Sequence, residues 1–306
     1  MRSVVFAYHD IGYVGIEELL RSGDEVAAVL THDDDPGETI WFRSVRQLAE
    51  MRGIPVFTPA TVNTPEWVAR IAAWQPDFVF SFYYRKLLGN DILAIPRRGA
   101  LNLHGSLLPK YRGRCPVNWV LIHDEPQTGV TLHYMEAKPD RGDIVAQRAV
   151  PISDDDTALT VFRKLTDAAA TLMRDTYPLL RAGTAPRQPQ DHAAATYFGG
   201  RRPEDGHIDW TQPARTIFNL VRAVTHPYPG AFASWEGRQL YIWEARPCPS
   251  DGDGAPGTIV AVAPELHVQT GSGTLHLRRV QLDDEPELSG GEWAARHSLH
   301  KGVRLT

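Results

Sequence analysis

Val4-Val5-Phe6-Ala7-Tyr8 is followed by an amphipathic stretch at residues 14–20 and then by a second apolar run, Val26-Ala27-Ala28-Val29-Leu30-Thr31. An unbroken apolar run of this length belongs to a strand covered on both faces, and a helix between two such strands is the unit of a parallel sheet. The alternation continues outward. Residues 42–51 read as a helix, 55–57 as a strand, 65–73 as a helix, and 78–81 and 100–103 as strands. Two further strands are expected at 130–134 and 144–150, joined by the loop 135–143. A long helix should follow, with Asp156 or Thr157 as its N-cap, running through Leu180 before Gly183. The pattern predicts an α/β fold with a doubly wound, mainly parallel sheet. Such sheets bind ligands in the crevice beyond the carboxyl ends of their strands.

The composition changes near residue 184. Thr184-Ala185-Pro186-Arg187-Gln188-Pro189 reads as a linker and Gly199-Gly200-Arg201-Arg202-Pro203 as a turn. Beyond them come a helix at 214–224 and short strands at 231–235, 239–244, 258–262, 266–269 and 274–280, separated by Pro- and Gly-rich turns. Five short strands predict a small OB-like β-barrel. Two domains are therefore expected, 1–200 and 201–306. Trp210, Trp235 and Trp243 read as core residues of the second.

A hydrophobic fraction of 42% and a charged fraction of 23% fit a globular chain. No apolar run approaches the eighteen or so residues of a membrane span, and Met1-Arg2 leads straight into the first strand. A cytoplasmic protein is expected. Cys115 and Cys248 form no disulfide framework or zinc signature. The twelve histidines show no metal-ligand spacing along the chain, so no metal is expected. The net charge of −5, with acidic clusters at 33–35, 154–156 and 283–285, argues against a nucleic-acid partner. Gly12 and Gly15 follow the first strand without the dinucleotide fingerprint, and no P-loop is present.

The chemistry concentrates in Asn102-Leu103-His104-Gly105-Ser106-Leu107-Leu108-Pro109-Lys110-Tyr111-Arg112-Gly113. Residues two apart in a strand share a face, so Asn102, His104 and Ser106 should emerge together where the strand leaves the core. An amide donor beside an imidazole suits acyl transfer: one group holds a developing oxyanion, the other moves a proton. Asp140, in Lys138-Pro139-Asp140-Arg141-Gly142-Asp143, is placed to reach His104 and orient it; Asp143 is the alternative carboxylate, better suited to capping. Ser106 should brace the turn. His9-Asp10, at the end of the first strand, is a candidate for lining the crevice.

This run, with Asn102 before it and Asp140 behind it, resembles the 10-formyltetrahydrofolate-dependent formyltransferases, in which Asn102, His104 and Asp140 match the catalytic triad. Within that family, Val4-Val5-Phe6-Ala7-Tyr8-His9-Asp10, Ser81-Phe82-Tyr83-Tyr84-Arg85, Asn118-Trp119-Val120-Leu121 and Pro227-Tyr228-Pro229-Gly230-Ala231-Phe232 are similar to the formylating domain of the bifunctional polymyxin-resistance protein. That domain acts on UDP-4-amino-4-deoxy-L-arabinose in lipid A modification. The resemblance implies that 1–200 is the catalytic domain and that 10-formyltetrahydrofolate is the co-substrate. It implies folate contacts at Lys86, Leu87, Leu88, Arg114 and the loop Glu136, Ala137, Lys138, Pro139, Asp140. Arg201 and Arg202 are candidates for the phosphates of a UDP-amino sugar, with His9 as a further substrate contact. It also implies that a separate decarboxylating dehydrogenase acts upstream. Other readings are a formyltransferase for another nucleotide-linked amino sugar, a methionyl-tRNA formyltransferase, and a folate-binding regulator without turnover. Asp33-Asp34-Asp35 disfavours the tRNA reading, since carboxylates repel phosphates.

Overall fold

A computed structural model describes residues 1–250 and 252–306. Contacts divide them into two units. One holds Met1–Pro116, Gln127–Pro151 and Phe162–Gly199; the other holds Val117–Pro126, Ile152–Val161 and Gly200–Thr306. In chain order the elements begin β1 (Arg2–Ala7), α1 (His9–Arg21), β2 (Glu25–Leu30), α2 (Val45–Met51), β3 (Val56–Phe57) and α3 (Pro65–Ala73). Next come β4 (Phe78–Phe82), α4 (Asn90–Leu93), β5 (Gly99–His104), β6 (Arg112–Gly113) and α5 (Pro116–Ile122). Then follow β7 (Gln127–Tyr134), β8 (Ile144–Pro151), α6 (Ala158–Ala182) and β9 (Tyr197–Phe198).

The first unit carries a seven-stranded sheet in the order β3-β2-β1-β4-β5-β7-β8. Its first five strands are parallel; β7 pairs antiparallel with both β5 and β8, so β7 alone runs against the rest. The expected doubly wound, mainly parallel sheet is thus present. Val4, Val5, Phe6 and Ala7 are wholly buried, as central strands covered on both faces must be. On one side, Val4, Phe6, Leu30 and Val79 pack with Ile71 of α3 and Ile92 of α4. Helix starts follow local chemistry: the Ser44 and Thr64 hydroxyls accept the Gln47 and Trp67 amides, and Thr157 accepts that of Thr160 at the head of α6. Gly15 has a packing reason. A Cβ there would lie 2.6 Å from the Phe82 ring, so only glycine lets α1 lie that close to β4.

Residues 184–189, expected as a linker, are instead tied to the sheet. Gln188 exchanges both backbone hydrogen bonds with Ile144, at 2.8 and 2.9 Å. The two-strand ribbon β6–β9 and the short α4 were not foreseen, being too brief to carry a period.

In the second unit, α7 (Ala214–Val224) precedes β10 (Ala231–Trp235), β11 (Arg238–Cys248), β12 (Ile259–Ala261), β13 (His267–Gln269), β14 (Thr274–Leu282), β15 (Leu288–Ser289) and α8 (Gly290–Arg296). The strands form an antiparallel sheet in the order β10-β11-β14-β13-β12, with β15 beside β14. Residues 303–306 bridge its two edges. Ser234 of β10 and Thr306 exchange backbone bonds, while Val303 and Leu305 bond Ile259 and Gly257 at the β12 side. This arrangement agrees with the expected OB-like domain. Trp210 and Trp235 are buried as expected, but Trp243 is half-buried, stacked with His226 and Tyr241; the most deeply buried indole is that of Trp293. Among the described residues no helix is long and apolar enough to cross a membrane.

Candidate active site

Strand β5 runs parallel to β4 and antiparallel to β7, and its last residues set the site. Asn102 lies opposite His133 and His104 opposite Thr131. The expected convergence occurs: Asp140 Oδ1 lies 3.6 Å from His104 Nδ1, 3.5 Å from Asn102 Nδ2 and 3.6 Å from His133 Nε2. Asp140 Oδ2 accepts the Gly113 amide at 2.9 Å. His133 was not anticipated. Its signal lay in the alternation Val130-Thr131-Leu132-His133, which gives β7 a polar face; the partner on that face emerges only with the antiparallel register.

Hydrogen-bond direction fixes the tautomers. His104 Nε2 is 2.8 Å from the Tyr111 carbonyl, which can only accept, so Nε2 carries hydrogen and Nδ1 is the nitrogen left to exchange a proton. His133 Nδ1 likewise donates to the Tyr134 carbonyl at 2.8 Å. Neutral His133 therefore presents an acceptor at Nε2, 3.2 Å from the Asn102 amide nitrogen. Both neighbours of that nitrogen, His133 Nε2 and the Asp140 carboxylate, accept hydrogen bonds. The Asn102 amide is thereby held in one orientation. Burial alone would raise the Asp140 carboxyl; when the His104 and His133 imidazoles are protonated, their charge and hydrogen bonding, with the Gly113 amide, outweigh it and hold it well below the usual carboxylate range.

The surrounding loops are braced by polar side chains, most of them buried. The Ser106 hydroxyl donates to the Lys110 and Tyr111 carbonyls at 2.7 and 3.3 Å, a bracing role for that residue. Thr131 donates to the Ser106 carbonyl and accepts the Leu108 amide; Gln147 donates to Leu108. Gln190, buried just past the segment expected as a linker, donates to the carbonyls of Asp140 (3.1 Å) and Gly142 (2.7 Å). Its own carbonyl accepts from Arg112 at 2.6 Å. Beside Asp140 lies a cavity of about 330 Å³ lined by Arg112, Lys138, Pro139, Arg141, Thr196 and Tyr197. The Arg112 Nε within that wall is buried and has no partner.

Residues 2–176 match the family model described as formyl transferase, and 201–298 match the formyl transferase C-terminal domain. The chain belongs to the formyl transferase family. Solved structures share this fold. A Helicobacter canadensis N-formyltransferase in complex with folinic acid and dTDP-3-aminofucose is 18% identical, with a TM-score of 0.68 over 90% of this chain and 98% of that one. WlaRD, a sugar 3N-formyl transferase with dTDP and 5-N-formyl-THF, is 16% identical, with a TM-score of 0.70 over 94% and 99%. HypX from Aquifex aeolicus, in complex with tetrahydrofolic acid, is 18% identical with a TM-score of 0.63; the match takes 97% of this chain but only 47% of HypX. The chain thus spans about half the length of HypX.

Lys86 Nζ donates to the Pro59 and Ala60 carbonyls, and the Leu87 carbonyl accepts from Asn63, whose own carbonyl takes the Gly89 amide. Asn63, which sequence reasoning missed, thereby pins the 87–89 backbone and leaves the Leu87 side chain exposed. The Arg114 amide extends the β6–β9 ribbon to the Phe198 carbonyl. Asp143 faces Arg187 rather than His104. His9 opens α1 in the left-handed region (φ 66°), stacked on Phe42 at 3.8 Å and edge-on to Trp41 and Phe162. Burial, with Arg85 nearby, lowers its pKa to about 3. Arg201 and Arg202 lie in the second unit, where Arg201 sits over the Trp119 ring and the Arg202 amide is capped by Asp205. The acidic loop is less repulsive than its sequence reads. Arg46 pairs with Asp33, Tyr8 with Asp34, and Arg85 with Glu38.

Proposed function

We propose that this chain, in the cytoplasm, transfers the formyl group of 10-formyltetrahydrofolate to the 4-amine of UDP-4-amino-4-deoxy-L-arabinose, a step of lipid A modification linked to polymyxin resistance. The observation that carries formyl transfer is the meeting of Asn102, His104 and Asp140 at the end of β5. The amine nitrogen attacks the formyl carbon, the bond from that carbon to the folate nitrogen breaks, and the amine proton passes to that nitrogen. Negative charge develops on the formyl oxygen. One Asn102 N–H, which makes only a long contact to Asp140, hydrogen-bonds to that oxygen as it enters, while the other, bonded to His133, holds the amide in place. His104 Nδ1, once protonated, is the second donor, and Asp140 stabilises that imidazolium. His104 or Asp140, directly or through water, relays the proton.

Lys86, Leu87, Leu88, Arg114 and residues 136–139 are assigned to folate, and Arg201, Arg202 and His9 to the sugar nucleotide. The cation-lined cavity beside Asp140 suits an anionic arm of either molecule. The choice of UDP-aminoarabinose rests on the resemblance of the quoted sequence stretches. A dTDP-linked amino sugar is the second reading, favoured by dTDP and dTDP-3-aminofucose in two structures of the same fold.

The purified chain, given 10-formyltetrahydrofolate, should formylate UDP-aminoarabinose in preference to dTDP-amino sugars and charged initiator tRNA. Product on a dTDP-sugar alone would install the second reading, and product on tRNA alone would remove both. Asn102→Ala should lower kcat by roughly 10²–10³-fold, the loss of one oxyanion donor, with donor binding far less affected; an unchanged kcat would end the assignment of that role.

A further inference from the structure

The β13–β14 hairpin turns through Gly271 and Ser272, and its ladder is marked by backbone bonds from Thr270 to Gly273 (3.1 Å) and from Leu277 to Leu266 (2.9 Å). Hydrogen-bonded and non-hydrogen-bonded pairs alternate along an antiparallel ladder, so His267 and His276, directly opposed, form a non-hydrogen-bonded pair, the kind whose side chains stand closest. Their rings lie nearly parallel, 13° apart in plane, with centroids 5.1 Å apart. Glu265 reaches the same place. One of its carboxylate oxygens is 3.2 Å from His267 Nε2 and 3.5 Å from His276 Nδ1. The three ligand atoms all fall within 4.8 Å of one another.

We propose that Glu265, His267 and His276 form a binding site for a divalent transition ion of the zinc type, outside the formyl-transfer cluster. Bonds of about 2.0–2.2 Å from each ligand to such an ion require ligand atoms only a little over 3 Å apart in a tetrahedron, and the two Glu265 distances already meet that. Two imidazoles with one carboxylate select a borderline ion over magnesium or calcium, which take oxygen ligands. The fourth position is left for water. Metal binding needs neutral imidazole, so it weakens as pH falls. The charge of Arg278, two residues beyond His276, is offset by Glu244 at 2.7 Å. An ion here would staple the two strands of the hairpin and add to the stability of the folded state in proportion to its occupancy. The twelve histidines hide this set in the sequence because His267 and His276 meet only across the turn.

The test is calorimetric titration of the full chain with Zn²⁺ alone, alongside thermal unfolding with and without the ion. The expected result is one strong equivalent, a rise in Tm, and binding weakened at least tenfold in both His276→Gln and Glu265→Gln. Glu265 is more than half exposed, so its variant keeps the question answerable if a histidine variant fails to fold. His104→Ala should bind Zn²⁺ as the parent does. No strong equivalent, full binding by Glu265→Gln, or loss of binding in His104→Ala would each overturn the site, the last by moving the ion to the formyl-transfer cluster.

Discussion

His133 shows how one unremarked side chain can control another. With Nδ1 committed to the Tyr134 carbonyl, its Nε2 takes one Asn102 N–H and fixes the orientation of that amide. His133→Leu should therefore lower kcat roughly tenfold, the worth of one good hydrogen bond, with KM for the folate donor nearly unchanged; a KM effect without a kcat effect would refute this reading. His9 makes a different residue-scale prediction, about pH. Its folded pKa of about 3 lies below the ordinary 6.5, so between those values the unfolded chain binds a proton that the folded chain refuses. Stability is then lost as pH falls through that window, at about 1.4 kcal/mol per pH unit for one group. Denaturant unfolding from pH 6 to pH 4 should show the steeper loss in the parent and a shallower one in His9→Phe; equal slopes would contradict it. Asn102, His104 and Asp140 were legible because short spacing on one strand and a single turn residue carry the pattern. His133 was not, because its importance depends on which residue of β5 it faces.

At the scale of elements, the site rests on segments that look like connectors. Gln190 ties together the carbonyls of Asp140 and Gly142 and the guanidinium of Arg112. Gln190→Ala would leave buried carbonyls without a donor, at about 1–3 kcal/mol. Lower thermal stability and turnover together are expected, and an unaltered Tm would show that water replaces the side chain. The strands and longer helices were readable from apolar runs and caps; helix α7 and strand β10 fall where their periodicity places them. The ribbon β6–β9 was not, since two residues contain no period. The proline-rich stretch before it was misread for a related reason: Gln188 bonds through its backbone, on which side-chain composition is silent.

At the scale of the whole molecule, the alternation in the first half sufficed to give the doubly wound sheet, and the short strands of the second half gave the antiparallel domain. What could not be read was how that second sheet manages its edges. Residues 303–306 join β10 to β12, and Leu305 is buried among them. Leu305→Ala should destabilise the second unit by about 2–5 kcal/mol, seen as an earlier unfolding transition; a shift of less than about 0.5 kcal/mol would mean the tail is only laid on the surface. The bonding of residues 188–198 bears on how the polypeptide tolerates cutting. The stretch resembles a hinge that a protease could nick harmlessly, yet it supplies an outer rung beside Ile144, the Gln190 clamp and the β9 half of the ribbon. A fragment trimmed at the point where the first family match stops, residue 176, would forfeit all three.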